Sequence, residues 1–365
     1  LETINYDNSQ LILPPEKIQE GSITWRSPSN LAIIKYWGKY GKQLPRNPSL
    51  SLTLDKAYTE TTIHFTPKST KADGGIALQF FFEDRPQEAF AEKVRSYFAG
   101  LASVFPFLEQ LDLVIRSRNS FPHSSGIASS ASSMSALALC LCAMERDLFG
   151  TLEDDTEFRR KASFLARLGS GSACRSVYPK AAVWGETGEI RESSNYYAVP
   201  YTDKVHEVFH NYHDDILIVS KGTKAVSSRA GHALMDENEY AANRYAQARR
   251  RFHQLLRALA TGDVELFGKL AEAEALTLHA LMMLSQPPYL LLKPNTITLI
   301  EKITLFRDEQ QLPLYFSLDA GPNLHLLYPD AIAAKVQPFI QEELAPLCEN
   351  GQVIADQVGD GPIQL

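Results

Sequence analysis

The segment Asn119–Ser135, NSFPHSSGIASSASSMS, constrains this chain most, because it joins a strand pattern to a helix pattern through small, donor-rich residues. Before it, Leu111, Leu113 and Ile115 alternate with polar residues up to Arg118, the period of a strand with one buried face. Pro122 forbids simple continuation. After it, Met134, Leu137, Leu141 and Met144 recur at three- and four-residue steps until Gly150, so a helix is expected from Ala128 onward. The helix therefore begins at the serines. Its first N–H groups lack intrahelical partners and its dipole is positive there, which suits a polyphosphate without a side-chain cation. Gly126 lets the backbone approach closely, and the hydroxyl of Ser129 or Ser130 can reach a magnesium ion carried by the phosphates. The competing reading is a serine-capped helix whose small residues allow tight packing. No GxxxxGK followed by Ser or Thr occurs, so this is not an ordinary P-loop.

A chain of 365 residues with 44% hydrophobic content can bury substantial cores, and its length fits two domains better than one. A formal charge of −7 offers no footprint for nucleic acid or an anionic membrane, so an anionic ligand must be gathered by local cations. No apolar run approaches the roughly 20 residues that span a bilayer, and LETINYDNSQ has no signal-peptide profile, so a cytoplasmic location is expected. Cys140, Cys142, Cys174 and Cys348 have neither metal-ligand spacing nor a disulfide framework, and are expected to be buried thiols.

Three further stretches carry candidate chemistry. NLAIIKYWGK, Asn30–Lys39, sets Lys35 directly after an apolar run and Lys39 four residues later. Lysines so placed ordinarily snorkel to solvent; the functional alternative turns both ammonium groups into a pocket for anionic oxygens. In GSGSACRS, Ser170, Ser172 and Arg175 put two hydroxyls and a guanidinium around a flexible backbone, a natural anion clamp, although GSGS is also an ordinary connector. In LDAGPN, Asp319 ends a strand at a Gly-Pro turn that could hold its carboxylate rigidly at a cleft.

Elsewhere, residues 1–20 read as a surface arm, and Gly21–Pro67 as several antiparallel strands. Helices are expected over Gln87–Leu101, Asp154–Leu168, Asn238–Leu259, Val264–Met283 and Thr296–Arg307, and strands over Asp214–Gly222 and about the turn in Leu312–Pro329. A domain boundary is placed near Pro200, giving domains over 1–200 and 201–365. Arg249, Arg250 and Arg251 read as a solvated face, and His279 as structural, with no assignable partner.

NLAIIKYWGK, FPHSSGIASSAS, GSGSACRS and LDAGPN, in this order, resemble the signature segments of diphosphomevalonate decarboxylases, in the kinase superfamily of galactokinase, homoserine kinase and mevalonate kinase. The resemblance runs from Thr24 to Tyr328. It implies an α+β, two-domain GHMP-kinase-like fold with a cleft between the domains. It further implies ATP and Mg²⁺ as cofactors, mevalonate 5-diphosphate as substrate, and a homodimer. On the matching positions, Asp319, Lys35, Arg175 and Asn30 would be catalytic. Tyr36, Lys39, Lys93, Ser170, Ser172, Ser228 and Arg229 would bind substrate. Ser124, Ser125, Gly126, Ala128, Ser129 and Ser130 would hold the ATP phosphates, with Ser129 or Ser130 on magnesium.

Departures from the family pattern are Lys93 in place of a common arginine, His123 with Ser124 and Ser125 after FP, His232 at a common methionine, and Pro48 in place of a serine. These bear on substrate phosphate length. The rival readings are a phosphomevalonate decarboxylase, a mevalonate 3-kinase that stops at the phosphorylated product, and an inactive nucleotide-binding regulator.

Overall fold

The computed structural model of the chain describes residues 4–68, 75–122, 127–222 and 228–365, with Ser228 and Arg229 described at the backbone. Strand β1 (Gly21–Ile34) is two strands in one. Its first half alternates Ile23 and Trp25 inward with polar residues outward, whereas every residue from Ser27 to Ile34 is buried. A strand buried on both faces needs structure on both sides. Its antiparallel register with β4 (Ser49–Pro67) slips between Pro28 and Asn30, and again between Ala32 and Ile34. Such irregularities bend a strand and re-aim its side chains. Here they lead directly to Lys35.

Between these strands, a short hairpin pairs β2 (Lys39–Tyr40) with β3 (Leu44–Pro45). On its other edge β4 pairs with β7 (Leu111–Asn119), which runs parallel to β5 (Ala77–Phe82), and β6 (Arg85–Pro86) closes that side. Strands β8 (Ala181–Trp184) and β9 (Ala198–Pro200) extend the sheet from β4, while β14 (Ile363–Gln364) returns from the far end of the chain to β1. Helices α1 (Glu88–Ala99), α2 (Ser129–Phe149) and α3 (Asp155–Gly169) pack on this sheet, and a first core including Phe98, Ile115, Leu137, Leu141 and Phe158 fills the layer between.

The second half holds a four-stranded antiparallel sheet ordered β11 (Tyr315–Leu318), β12 (Leu324–Tyr328), β10 (His213–Leu217) and β13 (Val353–Ile354). Its helices are α4 (Ser228–Ala233), α5 (Ala241–Thr261), α6 (Val264–Met283), α7 (Pro294–Gln310) and α8 (Ala333–Phe339). A second core joins the halves: Leu31, Ile33, Ile34 and Leu50 from the first sheet meet Ala248, Phe252 and Leu255 of α5 and Phe267 and Ala271 of α6. This is why the far half of β1 is buried on both faces.

Most expected elements form where the periodicity placed them. Helix α2 ends at Gly150, whose φ of 66° is the left-handed conformation glycine tolerates. The strand expected over Asp214–Gly222 stops at Leu217. The arginine run is not uniformly solvated: Arg250 is exposed, but Arg251 turns inward to Glu274 at 2.8 Å, because one turn of α5 carries it onto the α6 side. The N-terminal arm is pinned by buried Leu11 and Leu13, and Leu13 exchanges hydrogen bonds of 2.9 and 2.8 Å with the Gln110 side chain. All four cysteines are buried thiols. Among the described residues no helix is long and apolar enough to cross a membrane.

Because the second core is shared, Phe252→Ala is expected to destabilise the protein by about 3–5 kcal/mol and to lower the stability of both halves together. Urea unfolding followed by tryptophan fluorescence and circular dichroism checks this. Two separated transitions, with only one displaced, would refute a shared core.

Candidate active site

Lys35 and Asp319 stand at the centre. Each is the first residue after a strand, Lys35 after β1 and Asp319 after β11, so each lies past its ladder's last hydrogen bonds. Lys35 does not snorkel. Its side chain is 2% exposed and its ammonium donates to Asp319 Oδ1 at 2.9 Å and Ser317 Oγ at 3.1 Å. A buried ammonium needs such partners, since removing it from water unpaired would be prohibitive. The Lys35 backbone is held as well: its N–H donates to Glu274 Oε2 at 3.0 Å, and its carbonyl accepts from Arg244 Nη2 at 3.3 Å and Asn47 Nδ2 at 3.2 Å.

Glu274 is fully buried. Arg244 meets it in a two-pronged pair at 2.7 and 2.5 Å, and Arg251 adds a third contact. Burial pushes this carboxyl up, but the Arg244 charge, the guanidinium hydrogen bonds and the Lys35 N–H outweigh it and hold it below its ordinary value. His279, read as structural with no assignable partner, places its Nε2 3.0 Å from the Asp319 carbonyl oxygen. A carbonyl only accepts, so Nε2 carries the proton.

The GSGS segment is no loose connector. It enters a 3₁₀ turn, Gly171–Val177, in which Gly171 and Ala173–Val177 are buried. A Cβ at Gly171 would lie 2.8 Å from the Tyr36 ring and 2.9 Å from Trp184, so glycine is what lets this backbone touch Tyr36. Arg175 is 1% exposed, with Nε donating to Ser51 Oγ at 2.9 Å and Nη1 to Ser49 Oγ at 2.7 Å. Burial lowers its pKa, and the charge of Asp319 is among the groups that oppose this. Asn30 Nδ2 donates to Ser176 Oγ at 2.7 Å and to the Ser172 carbonyl at 3.2 Å. Among the described residues, the buried Asn30 Oδ1 and Tyr36 hydroxyl have no hydrogen-bond partner. Orphaned buried polar atoms are costly, and two beside one cluster of cations mark a place made for a polar ligand.

The serines of α2 divide between the two readings. Ser132 and Ser135 are packing serines, fully buried and bonded at 2.7 Å to Thr59 and Ser27 of the sheet. Ser129 and Ser130 stand at the helix start, where the N-cap is Ala128, in a left-handed conformation (φ 45°) and without a side-chain cap. The serine cap is thus not realised. Ser130 is exposed and its hydroxyl lies 3.3 Å from that of Ser170, which brings the helix start to the clamp segment. The uncapped N–H groups suit phosphate oxygens. Among the described residues no group of three His, Cys, Asp or Glu could hold a metal ion.

Lys39 is half-buried at the hairpin, with its ammonium 2.9 Å from Gln43 Oε1. Lys93 is exposed on α1, which packs on β5, and its ammonium lies 5.7 Å from the Phe90 ring centre. His123, Ser124, Ser125 and Gly126 lie outside the described residues, as do the side chains of Ser228 and Arg229. Sequence reasoning missed Glu274, Arg244 and the role of His232. The ring of His232 stacks at 4.3 Å on Tyr36 and 4.6 Å on Trp37, and its Nδ1 accepts from the Gly38 N–H at 3.0 Å. Only a charged residue on the apolar face of each amphipathic helix pattern, Glu274 and Arg244, could have signalled the first two.

Burial pushes His232 down to about 3, with Lys39 adding to the effect, and pushes His279 down to about 4. Both folded values lie below the unfolded value of about 6.5, so between those limits the unfolded chain binds more protons. Stability is therefore expected to fall as pH drops from about 6.5 towards 4. His232→Phe should flatten that slope in urea unfolding across this window. An unchanged slope would contradict a neutral buried His232.

Two family descriptions match the chain: a diphosphomevalonate decarboxylase-like N-terminal domain over residues 27–196 and a mevalonate 5-diphosphate decarboxylase C-terminal domain over 215–363. The diphosphomevalonate decarboxylase of Candida albicans is 28% identical over 358 residues, covering 92% of this chain and 96% of that relative. Among solved structures, mevalonate diphosphate decarboxylase from Staphylococcus aureus matches at TM-score 0.80 and 27% identity, covering 95% of this chain and 98% of that one. A complex of MDDEF with MVAPP, AMPPCP and magnesium matches at TM-score 0.79 and 27% identity, covering 95% and 99%. With both family models together spanning most of its length and solved relatives sharing its fold, the chain belongs to the diphosphomevalonate decarboxylase family.

Proposed function

We propose that this protein catalyses the ATP-dependent decarboxylation of mevalonate 5-diphosphate to isopentenyl diphosphate, through phosphorylation of the tertiary 3-hydroxyl. The observation that carries it is the ion pair of buried Lys35 with partly buried Asp319, beside buried Arg175. ATP with magnesium supplies the phosphoryl group and shields its charge. Asp319 orients the 3-hydroxyl and takes its proton, and Lys35 stabilises the negative charge that builds as the phosphoryl group moves. Arg175 uses Nε and Nη1 on Ser51 and Ser49, which fixes the guanidinium and leaves Nη2 for the substrate carboxylate. Phosphate then leaves the tertiary carbon, and the electrons of the carbon–carbon bond fill the vacancy as CO₂ departs. No redox cofactor is needed.

The remaining assignments are carried over from the family resemblance. Asn30 Oδ1 and the Tyr36 hydroxyl, both orphaned, face the substrate, with Ser170 and Ser172 fixing it from the clamp. Lys39, Tyr36, Ser228 and Arg229 serve the diphosphate, and Lys93 would reach it only from the neighbouring helix. Ser124–Ser130 hold the ATP phosphates, with Ser129 or Ser130 on magnesium. In this reading residues 1–200 are the nucleotide-binding domain and 201–365 its partner, and the protein works as a cytoplasmic homodimer, an assignment supported by family resemblance alone.

ADP formation and CO₂ release should be measured in parallel on mevalonate, its 5-phosphate and its 5-diphosphate. Equal ADP and CO₂ are expected with the diphosphate. ADP without CO₂ would make the protein a 3-kinase, and turnover confined to the monophosphate would overturn the substrate assignment. Asp319→Asn should cost on the order of 10²–10⁴ in kcat while ATP still binds, the range of a lost general base.

A further inference from the structure

The two side chains central to the chemistry lie one residue past the ends of different strands, from different halves of the chain. Ladder hydrogen bonds fix neither of them. The Asp319 carbonyl accepts from Gly321 N–H at 2.8 Å within its own turn, and both backbones meet one helix, α6, which packs against β1 and β11. Glu274 accepts from the Lys35 N–H at 3.0 Å, and its partner Arg244 donates to the Lys35 carbonyl at 3.3 Å, so one ion pair holds both polar groups of that residue. Five residues further along α6, His279 donates from Nε2 to the Asp319 carbonyl at 3.0 Å. Five residues of helix advance about 7.5 Å. The two groups are rigid themselves: Glu274 is 0% and His279 2% exposed, and Arg244 and Arg251 fill the carboxylate's acceptor positions.

We propose that α6 is the ruler of the active site, with Glu274 and His279 as positioning residues that set the backbones of Lys35 and Asp319 at the spacing phosphoryl transfer requires. This rests on the assignment of Lys35 and Asp319 as the reacting pair. Neither Glu274 nor His279 touches substrate in this account; each acts through the residue it holds. His279 performs this as a neutral ring, because its folded pKa of about 4 keeps it uncharged in the working range.

The test is steady-state kinetics on the full-length enzyme with mevalonate 5-diphosphate and ATP. It compares His279→Leu, which lacks the donor, with His279→Gln, which can restore it, and runs Asp319→Asn alongside. His279→Leu is expected to lose about 10- to 100-fold in kcat with both KM values within about twofold, as small misplacements of reacting groups do. His279→Gln should recover most of the loss. Glu274→Gln should reproduce the kcat effect; if it fails to fold, the His279 pair decides alone. A His279→Leu enzyme with wild-type kcat would overturn the proposal, as would a loss that His279→Gln does not restore. Full activity in Asp319→Asn would instead overturn the assignment of the reacting pair. A dead Asp319→Asn beside an unaffected His279→Leu sinks only the positioning role.

Discussion

The Lys35 ammonium is buried and charged, and the rest of the molecule is arranged around meeting that charge. Its partners, Asp319 and Ser317, come from the second half of the chain, while its own backbone continues β1 of the first sheet. A buried pair adds little net stability, because desolvation of both ions offsets their attraction, but losing one partner costs about 3–5 kcal/mol. The pair therefore acts through geometry: the halves dock where it is satisfied, and misdocked arrangements leave a bare charge.

The surrounding layers keep that geometry. The shared core closes the far end of β1 against α5 and α6, and the buried Glu274–Arg244–Arg251 cluster ties the same helices to the Lys35 backbone. Apolar burial supplies the force and polar contacts the register, since hydrophobic contact is non-directional and hydrogen bonds are not. A net charge of −7 leaves the protein as a whole unattractive to polyanions. Attraction is instead local, from Lys35 and Arg175 in a poorly solvated site, where each charge acts more strongly than at the surface.

Much of this was legible in the chain itself. Helices α2 and α6 match their periodicity closely, because a long apolar stripe has one way to be buried. Lys35, Arg175 and Asp319 stood out as candidates because their local motifs are unusual, and Asn30 joined them through the family resemblance. What escaped notice came from other elements. Arg251 read as part of a solvated run because charge alone says nothing of which turn of α5 faces α6. His279 read as partnerless because Asp319 is 40 residues away. His232 looked like a mere departure, yet it fills a ring stack between Tyr36 and Trp37.

By itself the sequence determined the identity of the elements, the α+β class, the motif set and the family, since these depend on short-range period and local chemistry. The tertiary structure alone decided which charges would be buried, which hydroxyls of α2 would face the sheet or the helix start, and that one helix would hold both Lys35 and Asp319. Those outcomes depend on contacts between residues up to 284 positions apart, and no local pattern encodes the partner of a buried polar group.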